Sequence, residues 1–145
     1  MTFTLNQLIG DEWSVGGRYR LTRAELTPDF VDIPDSVLRF DPRQELESVL
    51  HQLNLFCIFN HPSGFFSRID AIWSSQSNRG YTPDQPGDDF WQFNVFAGYR
   101  FPRRKAELRV GILNLTDQNY RLNPLTLYNE LPRERTLTVR FQFNF

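Results

Sequence analysis

Cysteine and histidine are both scarce in this sequence, which has Cys57 as its single cysteine and two histidines among 145 residues. One thiol forms no internal disulfide and makes no cysteine metal site, so we expect Cys57 to be a small apolar side chain on a strand face. His51 and His61 are accompanied by no serine or cysteine nucleophile motif. The sequence therefore gives no reason to expect an enzyme, a metal site or a cofactor.

Long apolar runs are also missing, and the mean hydropathy is -0.47, so a membrane-spanning helix is not expected. The formal net charge of -1 gives no reason to expect nucleic acid as a partner. The first residues, MTFTLNQLIGDEW, lack the basic stretch, apolar core and cleavage site of a signal peptide. We therefore expect either a soluble chain or the C-terminal piece of a longer protein.

Aromatic residues are abundant, at 15% of the chain, and 14 of them are Phe. The last eleven residues, RTLTVRFQFNF, alternate apolar and polar side chains without a break. A period of two predicts a β-strand with two chemically different faces. Its length suits a tilted strand that crosses a bilayer, although an edge strand of a soluble sandwich or small barrel has the same pattern.

The same alternation recurs along the chain and predicts an all-β fold, an antiparallel up-and-down meander of about seven strands. The predicted strands are 3–6, 13–23, 49–59, 65–75, 90–101, 106–114 and 135–145. Short turns alternate with long loops at 27–44, 77–88 and 115–134. This alternation is typical of an outer-membrane barrel, with tight turns at the periplasmic end and long loops outside.

The two faces of these predicted strands differ in chemistry. With the short turns on one side, apolar-face aromatics form two belts: Trp13, Phe59, Phe65, Tyr99, Phe101, Phe143 and Phe145 at the turn level, and Trp73 and Trp91 at the loop level. The polar faces hold Arg18, Arg20, Arg68, Asp70, Arg100, Arg109 and Arg140. A dry core could not hold that many unpaired charges, whereas a wet lumen or a plug domain could. The sheet is thus predicted to be a segment of a transmembrane β-barrel.

From Ala106 onward the sequence resembles the C-terminus of TonB-dependent outer-membrane receptors. AELRVGILNLTDQNYRLNP resembles the family's penultimate strand and the start of its last extracellular loop, and LPRERTLTVRFQFNF resembles the closing strand. The residues that match the family motif are Asn114, Leu115, Asp117, Tyr120, Arg121, Asn123 and Pro124, while Thr116 stands where the family usually has Phe. The motif residues are expected to shape the last loop.

The resemblance implies that residues 1–145 are the C-terminal part of a receptor barrel, without a plug domain or a signal peptide. Such a receptor takes up a scarce ligand, such as a ferric siderophore, with energy from TonB, which would contact only the missing N-terminal part. The implied location is the Gram-negative outer membrane, if the chain is exported as part of a longer protein. The implied partners are outer-membrane lipid and the barrel-assembly machinery, which would read Phe145 as an assembly signal.

Two other classes of protein are weighed against this one. An independent small β-barrel or sandwich that binds a ligand in solution would explain the absent signal peptide, but not the belts, the arginine-lined face or the terminal Phe. An enzyme would need a catalytic constellation, and Asp88 and Asp89 are more typical of a solvated strand start. Three aspartates at spacing three, Asp29, Asp32 and Asp35, do not match an EF-hand loop. Ligand contacts are expected from the three long loops.

Overall fold

The described part of the chain is a single open β-sheet. The structure is a computed structural model that describes residues 1–27, 45–81, 83–120, 122 and 134–143. Its strands are β1 Thr2–Ile9, β2 Trp13–Leu26, β3 Leu46–Asn60, β4 Phe65–Arg79, β5 Asp88–Arg100, β6 Ala106–Leu113 and β7 Thr136–Phe143. Each strand pairs antiparallel with the next in sequence order. The all-β meander is confirmed, and within the described residues the sheet is not closed, which is consistent with a segment of a barrel.

Several strands are longer than their sequence pattern predicts. β1 extends beyond the predicted residues 3–6 at both ends. β4 continues to Arg79, so the predicted loop start at Ser77 is wrong, and the connection runs from Gly80 to Gly87, one residue short of the predicted end. The pattern fails here because Ser75 and Ser77 are polar on the face that is apolar elsewhere. The pairing of Val49 with Ser77 continues the ladder regardless of side-chain polarity. Most of the predicted loops 27–44 and 115–134 lies outside the described residues.

The short turns depend on glycines with positive φ and, at Gly64, on close approach of the neighbouring backbone. Gly10 has a φ of 61° and Gly64 a φ of 101°. Residues that carry a side chain rarely adopt these backbone angles. A Cβ at Gly64 would also collide with the backbone carbonyl of Arg100. The third turn contains a short 3-10 helix, Pro102–Arg104, in which Arg103 has a φ of 60°. These turns hold the neighbouring strands of each hairpin in one register.

The register places most apolar residues of the seven strands on one face. One cross-strand row across the whole sheet consists of Gln7, Val15, Cys57, Ile69, Val95, Ile112 and Leu137. Directly opposed residues point to the same side of a sheet. A slip of one residue at any pair would turn one strand's apolar residues to the other side. Six pairings agree, so one face of the sheet is predominantly apolar, and the other carries the charged side chains together with several Phe rings.

Burial is inverted with respect to an ordinary soluble sheet. The buried residues of the strands lie mostly on the polar face and include Phe66, Asp70, Ser74, Gln76, Phe90 and Asn94. Many large side chains of the apolar face are more than a third exposed, and those of the two edge strands are more than half exposed. Side chains therefore crowd one another on the polar side, as on the inner side of a curved sheet. We call the polar side the inner wall and the apolar side the outer face.

None of the described residues belongs to a helix long and apolar enough to cross a membrane.

Candidate functional site

The outer face is a continuous apolar surface in contact with no other part of the described chain. Ile69 in the middle of the sheet is 50% exposed, and Val139 near one edge is 66% exposed. The other members are Phe3, Leu5, Ile9, Trp13, Leu55, Phe65, Trp91, Tyr99, Leu108, Val110, Leu137, Phe141 and Phe143. Soluble monomers rarely expose a contiguous apolar patch of more than a few hundred Å². The outer face therefore requires an apolar environment or partner.

Aromatic rings cluster at the turn end of the outer face. The ring centroids of Trp13 and Phe59 are 4.7 Å apart, those of Phe59 and Phe65 are 6.4 Å apart, and those of Tyr99 and Phe101 are 5.3 Å apart. The register brings these rings together from β2, β3, β4 and β5, although they are far apart in sequence. They belong to the turn-level belt of aromatic residues predicted from the sequence.

A second aromatic pair lies toward the loop end of the outer face. Trp73 and Trp91 are direct cross-strand partners, and Trp73 Nε1 donates a hydrogen bond to Asp89 Oδ1 at 2.8 Å. The pairing of Phe65 with Tyr99 lies about eight residues away on the same strands. At ~3.3 Å per residue the two levels are ~26 Å apart along the strand, and in a barrel whose strands tilt by ~40° they would be ~20 Å apart along its axis. That separation is close to the ~25 Å apolar band of outer-membrane barrels.

Charged residues replace apolar ones on the outer face beyond the Trp73 level. Arg23 Nη2 lies 2.7 Å from Glu25 Oε1, and Arg23 Nε lies 2.9 Å from Glu47 Oε1. The Arg23 side chain is 61% exposed, so these pairs add little stability. Their position shows that the apolar band is bounded and that the strands extend beyond it at the loop end.

Two ion pairs lie on the inner wall. Arg68 donates hydrogen bonds from Nε and Nη2 to Asp70 Oδ1, at 2.9 and 2.8 Å. Arg100 Nε lies 3.1 Å from Glu107 Oε2, and Arg100 Nη1 donates to Asn60 Oδ1 at 2.7 Å. Asp70 is buried, so the Arg68 guanidinium compensates for its lost hydration. Paired charges on this scale suit a wall that faces water or another polar segment.

Three phenylalanines on the inner wall cover glycines of the neighbouring strand. The direct cross-strand pairs are Gly16–Phe56, Gly98–Phe66 and Gly111–Phe96. A Cβ at Gly16 or Gly98 would lie 2.5 Å from the ring tip of its partner Phe. The rings therefore occupy the space that a side chain at each glycine would fill, as in aromatic rescue of strand glycines.

An arginine stacks on each of these rings. The guanidinium carbon lies 5.5 Å from the ring centroid for Arg68 on Phe56, 4.2 Å for Arg100 on Phe66 and 4.0 Å for Arg109 on Phe96. A cation over an aromatic face is stabilised by ~0.5–2 kcal/mol, depending on exposure. Sequence reasoning gave these rings no role. The signal was present in the spacing of two in Gly98-x-Arg100 and Arg109-x-Gly111, which puts both residues on one face.

A polar cluster joins β3, β4 and the connection to β5 at the loop end of the inner wall. Asn78 Oδ1 accepts hydrogen bonds from Ser48 Oγ and Gln76 Nε2, both at 2.9 Å. Asn78 Nδ2 donates to the carbonyls of Gln85 and Pro86 at 3.4 Å. Asn78 therefore ties this connection to the sheet.

Asn114 shapes the chain directly after β6. Its backbone N donates to Asn94 Oδ1 at 2.9 Å, and its side chain exchanges two hydrogen bonds with the backbone of Gln118, each at 2.9 Å. Leu115 N donates to the carbonyl of Phe93 at 2.8 Å. Asn114 has a φ of 52° and is buried. Asn tolerates this backbone conformation better than most residues and caps the turn with its own amide.

Two further motif residues connect this turn to other strands. Asp117 Oδ1 accepts a hydrogen bond from Arg135 N at 2.8 Å, just before β7. Tyr120 stacks on Phe90, with ring centroids 4.3 Å apart and planes 13° apart. The remaining motif residues, Arg121, Asn123 and Pro124, and the proposed assembly signal Phe145 lie outside the described residues.

No group of three or more His, Cys, Asp or Glu side chains in the described ranges could hold a metal ion. His51 Nδ1 pairs with Tyr19 Oη at 2.7 Å, while His61 Nδ1 pairs with Ser63 Oγ at 2.8 Å inside a turn. The two histidines therefore have separate, local partners.

Comparison with protein-family models, curated proteins and solved structures finds no match to this chain.

Proposed function

We propose that this chain forms part of the wall of an outer-membrane β-barrel, in a TonB-dependent receptor for active uptake of a scarce ligand such as a ferric siderophore. The observation that carries the proposal is the inverted burial, with an exposed apolar outer face and buried Asp70, Gln76 and Asn94 on the inner wall. Lipid satisfies the outer face, and water or a plug satisfies the inner wall.

The rim features support the same orientation. Trp73 and Trp91 at one level and Trp13, Phe59 and Tyr99 at the other bracket an apolar band of about membrane thickness. The charged extension at Arg23 lies beyond the band at the loop end, which would face outside the cell.

In this proposal the strands of the chain build the barrel wall, and its long loops recognise the ligand. Residues of its long loops would contact the ligand, and the motif from Asn114 to Pro124 would hold the last loop. The barrel-assembly machinery would read Phe145. In such a receptor an N-terminal segment contacts TonB, and no residue of this chain is assigned to that contact.

Tryptophan depth in a bilayer tests the barrel part of the proposal. The full chain, refolded from urea into phosphatidylcholine vesicles, should show strong quenching of its outer-face tryptophans by brominated acyl chains, since Trp13, Trp73 and Trp91 all lie on the lipid side. An Asn54→Trp variant with those three replaced by Phe places the probe on the inner wall and should be quenched much less. Equally weak quenching of the native chain and of the Asn54→Trp variant would favour the small soluble barrel instead. A sharp reversible melt of a monomer in detergent-free buffer would favour it too.

A graft tests the receptor part. Residues 106–145 replace the last two strands and their loop in a characterised TonB-dependent receptor, expressed in a Gram-negative host. We expect a folded barrel in the outer membrane that retains TonB-dependent uptake, and we expect a Phe145→Ala graft to accumulate far less. A wild-type graft that is degraded in the periplasm while the parent receptor assembles would count against the family assignment.

A further inference from the structure

Two arginines of the inner wall lie opposite each other on neighbouring strands. Arg109 of β6 and Arg140 of β7 are direct cross-strand partners, so their side chains leave the same side of the sheet with Cβ atoms ~5 Å apart. Like charges in this position repel each other and destabilise a sheet. The ion pairs of the described residues involve Arg23, Arg68 and Arg100, and none of them brings a carboxylate to Arg109 or Arg140.

Arg109 is held in place but lacks an acceptor. Its guanidinium carbon lies 4.0 Å from the centroid of the Phe96 ring, which fixes its position. The side chain is partly buried, and its Nε is buried with no hydrogen-bond partner among the described residues. Arg140 is exposed and donates from Nη2 to Gln142 Oε1 at 3.0 Å. A fixed guanidinium that has lost water without gaining an acceptor favours an anion beside it.

The other two stacked arginines show what Arg109 lacks. Arg68 and Arg100 also lie over Phe rings, and each has a carboxylate of the chain, Asp70 for Arg68 and Glu107 for Arg100. Glu107 precedes Arg109 by two residues on the same strand, but its Oε2 lies 3.1 Å from Arg100 Nε. Within the described residues, the inner wall therefore supplies one carboxylate to each stacked arginine except Arg109.

We propose that Arg109 and Arg140 bind a small dicarboxylate, with one carboxylate at each guanidinium. The planar fork of arginine matches the two oxygens of a carboxylate, and these charge-assisted hydrogen bonds are stronger than neutral ones. Two carboxylates on one short molecule can reach both guanidiniums, because neighbouring strands lie only ~5 Å apart. Binding of the first carboxylate then raises the effective concentration of the second.

Affinity for a dicarboxylate relative to a monocarboxylate tests this site. The isotope-labelled full chain is folded in zwitterionic detergent micelles at neutral pH and constant ionic strength. The arginine Nε–H signals are followed by NMR during titration with succinate and, separately, with acetate. We expect succinate to shift the Arg109 signal and to bind about tenfold or more tightly than acetate, because its second carboxylate is already held near the second guanidinium.

Substitution of either arginine should remove the preference for succinate. Arg109→Gln identifies the Arg109 signal and removes one guanidinium, and Arg140→Gln removes the other. Each variant should bind succinate and acetate with similar affinity, since only one guanidinium remains at the site. Arg140→Gln changes an exposed side chain, so it tests the site even if loss of the Arg109 stack unfolds the sheet.

Arg18→Gln is the matched control. Arg18 is also exposed on the inner wall, but its cross-strand partners are Thr4 and Asn54. It lies on β2, four strands from β6. Its substitution removes the same charge and should leave the preference for succinate within about twofold of the native value, because salt screens exposed charges at that separation.

Three results would overturn the inference. The first is equal affinity of the native chain for succinate and acetate, and the second is tighter binding of inorganic phosphate than of succinate. The third is a loss of preference in Arg18→Gln as large as in Arg140→Gln, which would indicate general attraction by the positive charges of the wall. The inference uses only the inner wall and does not rest on the proposed receptor function. That function is tested by tryptophan quenching and by the graft, so the two proposals can fail separately.

Discussion

Replacing Gly111 with Ala should destabilise the sheet because the ring of Phe96 occupies the space of the new methyl group. A Cβ at residue 111 would lie 2.7 Å from Phe96 Cε1 and 3.2 Å from Cγ, and ordinary carbon contacts are ~3.5–4.0 Å. The ring must therefore move by ~1 Å. Overpacking of this kind raises the free energy of the folded state by ~1–3 kcal/mol.

Movement of the ring also disturbs the cation above it. Arg109 lies 4.0 Å from the Phe96 centroid, and weakening that contact removes ~0.5–1 kcal/mol. We therefore expect Gly111→Ala to lower the free energy of unfolding by ~2–3 kcal/mol. The assay is urea unfolding of the full chain in detergent micelles, followed by tryptophan fluorescence.

Gly17→Ala is the matched control. Gly17 is also in a strand, but on the outer face, and its Cβ would lie 3.1 Å from the flexible Leu55 Cδ2. This substitution should change stability by no more than ~0.5 kcal/mol, with a small gain from reduced unfolded-state freedom.

A double-mutant cycle measures how much of the effect comes from the contact with the Phe96 ring. In a Phe96→Ala background the obstacle is gone, so Gly111→Ala should be close to neutral and the coupling energy should be ~2 kcal/mol. The reasoning is refuted if Gly111→Ala behaves like Gly17→Ala, or if its effect adds to that of Phe96→Ala.

Three further substitutions test other contacts. Asp117→Ala removes the acceptor for Arg135 N and should destabilise the start of β7 by ~1 kcal/mol, seen as faster amide exchange there, whereas Asp117→Asn keeps the acceptor and should be milder. Arg68→Met leaves the buried Asp70 without its guanidinium and should lower the free energy of unfolding by ~1.5–3 kcal/mol, with Asp70→Asn in the same background restoring part of it. Cys57 should resist a water-soluble maleimide in vesicles and react fully in urea, and equal rates in both would place it away from lipid.

Strand identity was predictable from the sequence because alternation is a local property. β7, β5 and β6 lie within or close to their predicted ranges, since their apolar residues recur at every second position. The ends were not predictable in β4, where Ser75 and Ser77 interrupt the apolar face although backbone hydrogen bonding continues to Arg79. Backbone pairing depends on the neighbouring strand, which the local pattern does not report.

The motif after β6 was visible in the sequence, but its contacts were not. Asn114 and Asp117 can be recognised as turn formers from their residue types. That Asp117 reaches the start of β7 and that Tyr120 stacks on Phe90 depends on where β5 and β7 lie relative to the turn.

By itself the sequence determined the strands, their two chemically distinct faces and the alternation of turns and loops, because each follows from residue spacing along the chain. Only the tertiary structure decided that the faces align across all seven strands, that Phe96 covers Gly111, and that Arg109 lies opposite Arg140. These features depend on cross-strand register. Register is fixed by the sum of pairings across the sheet and is not recorded in any single strand.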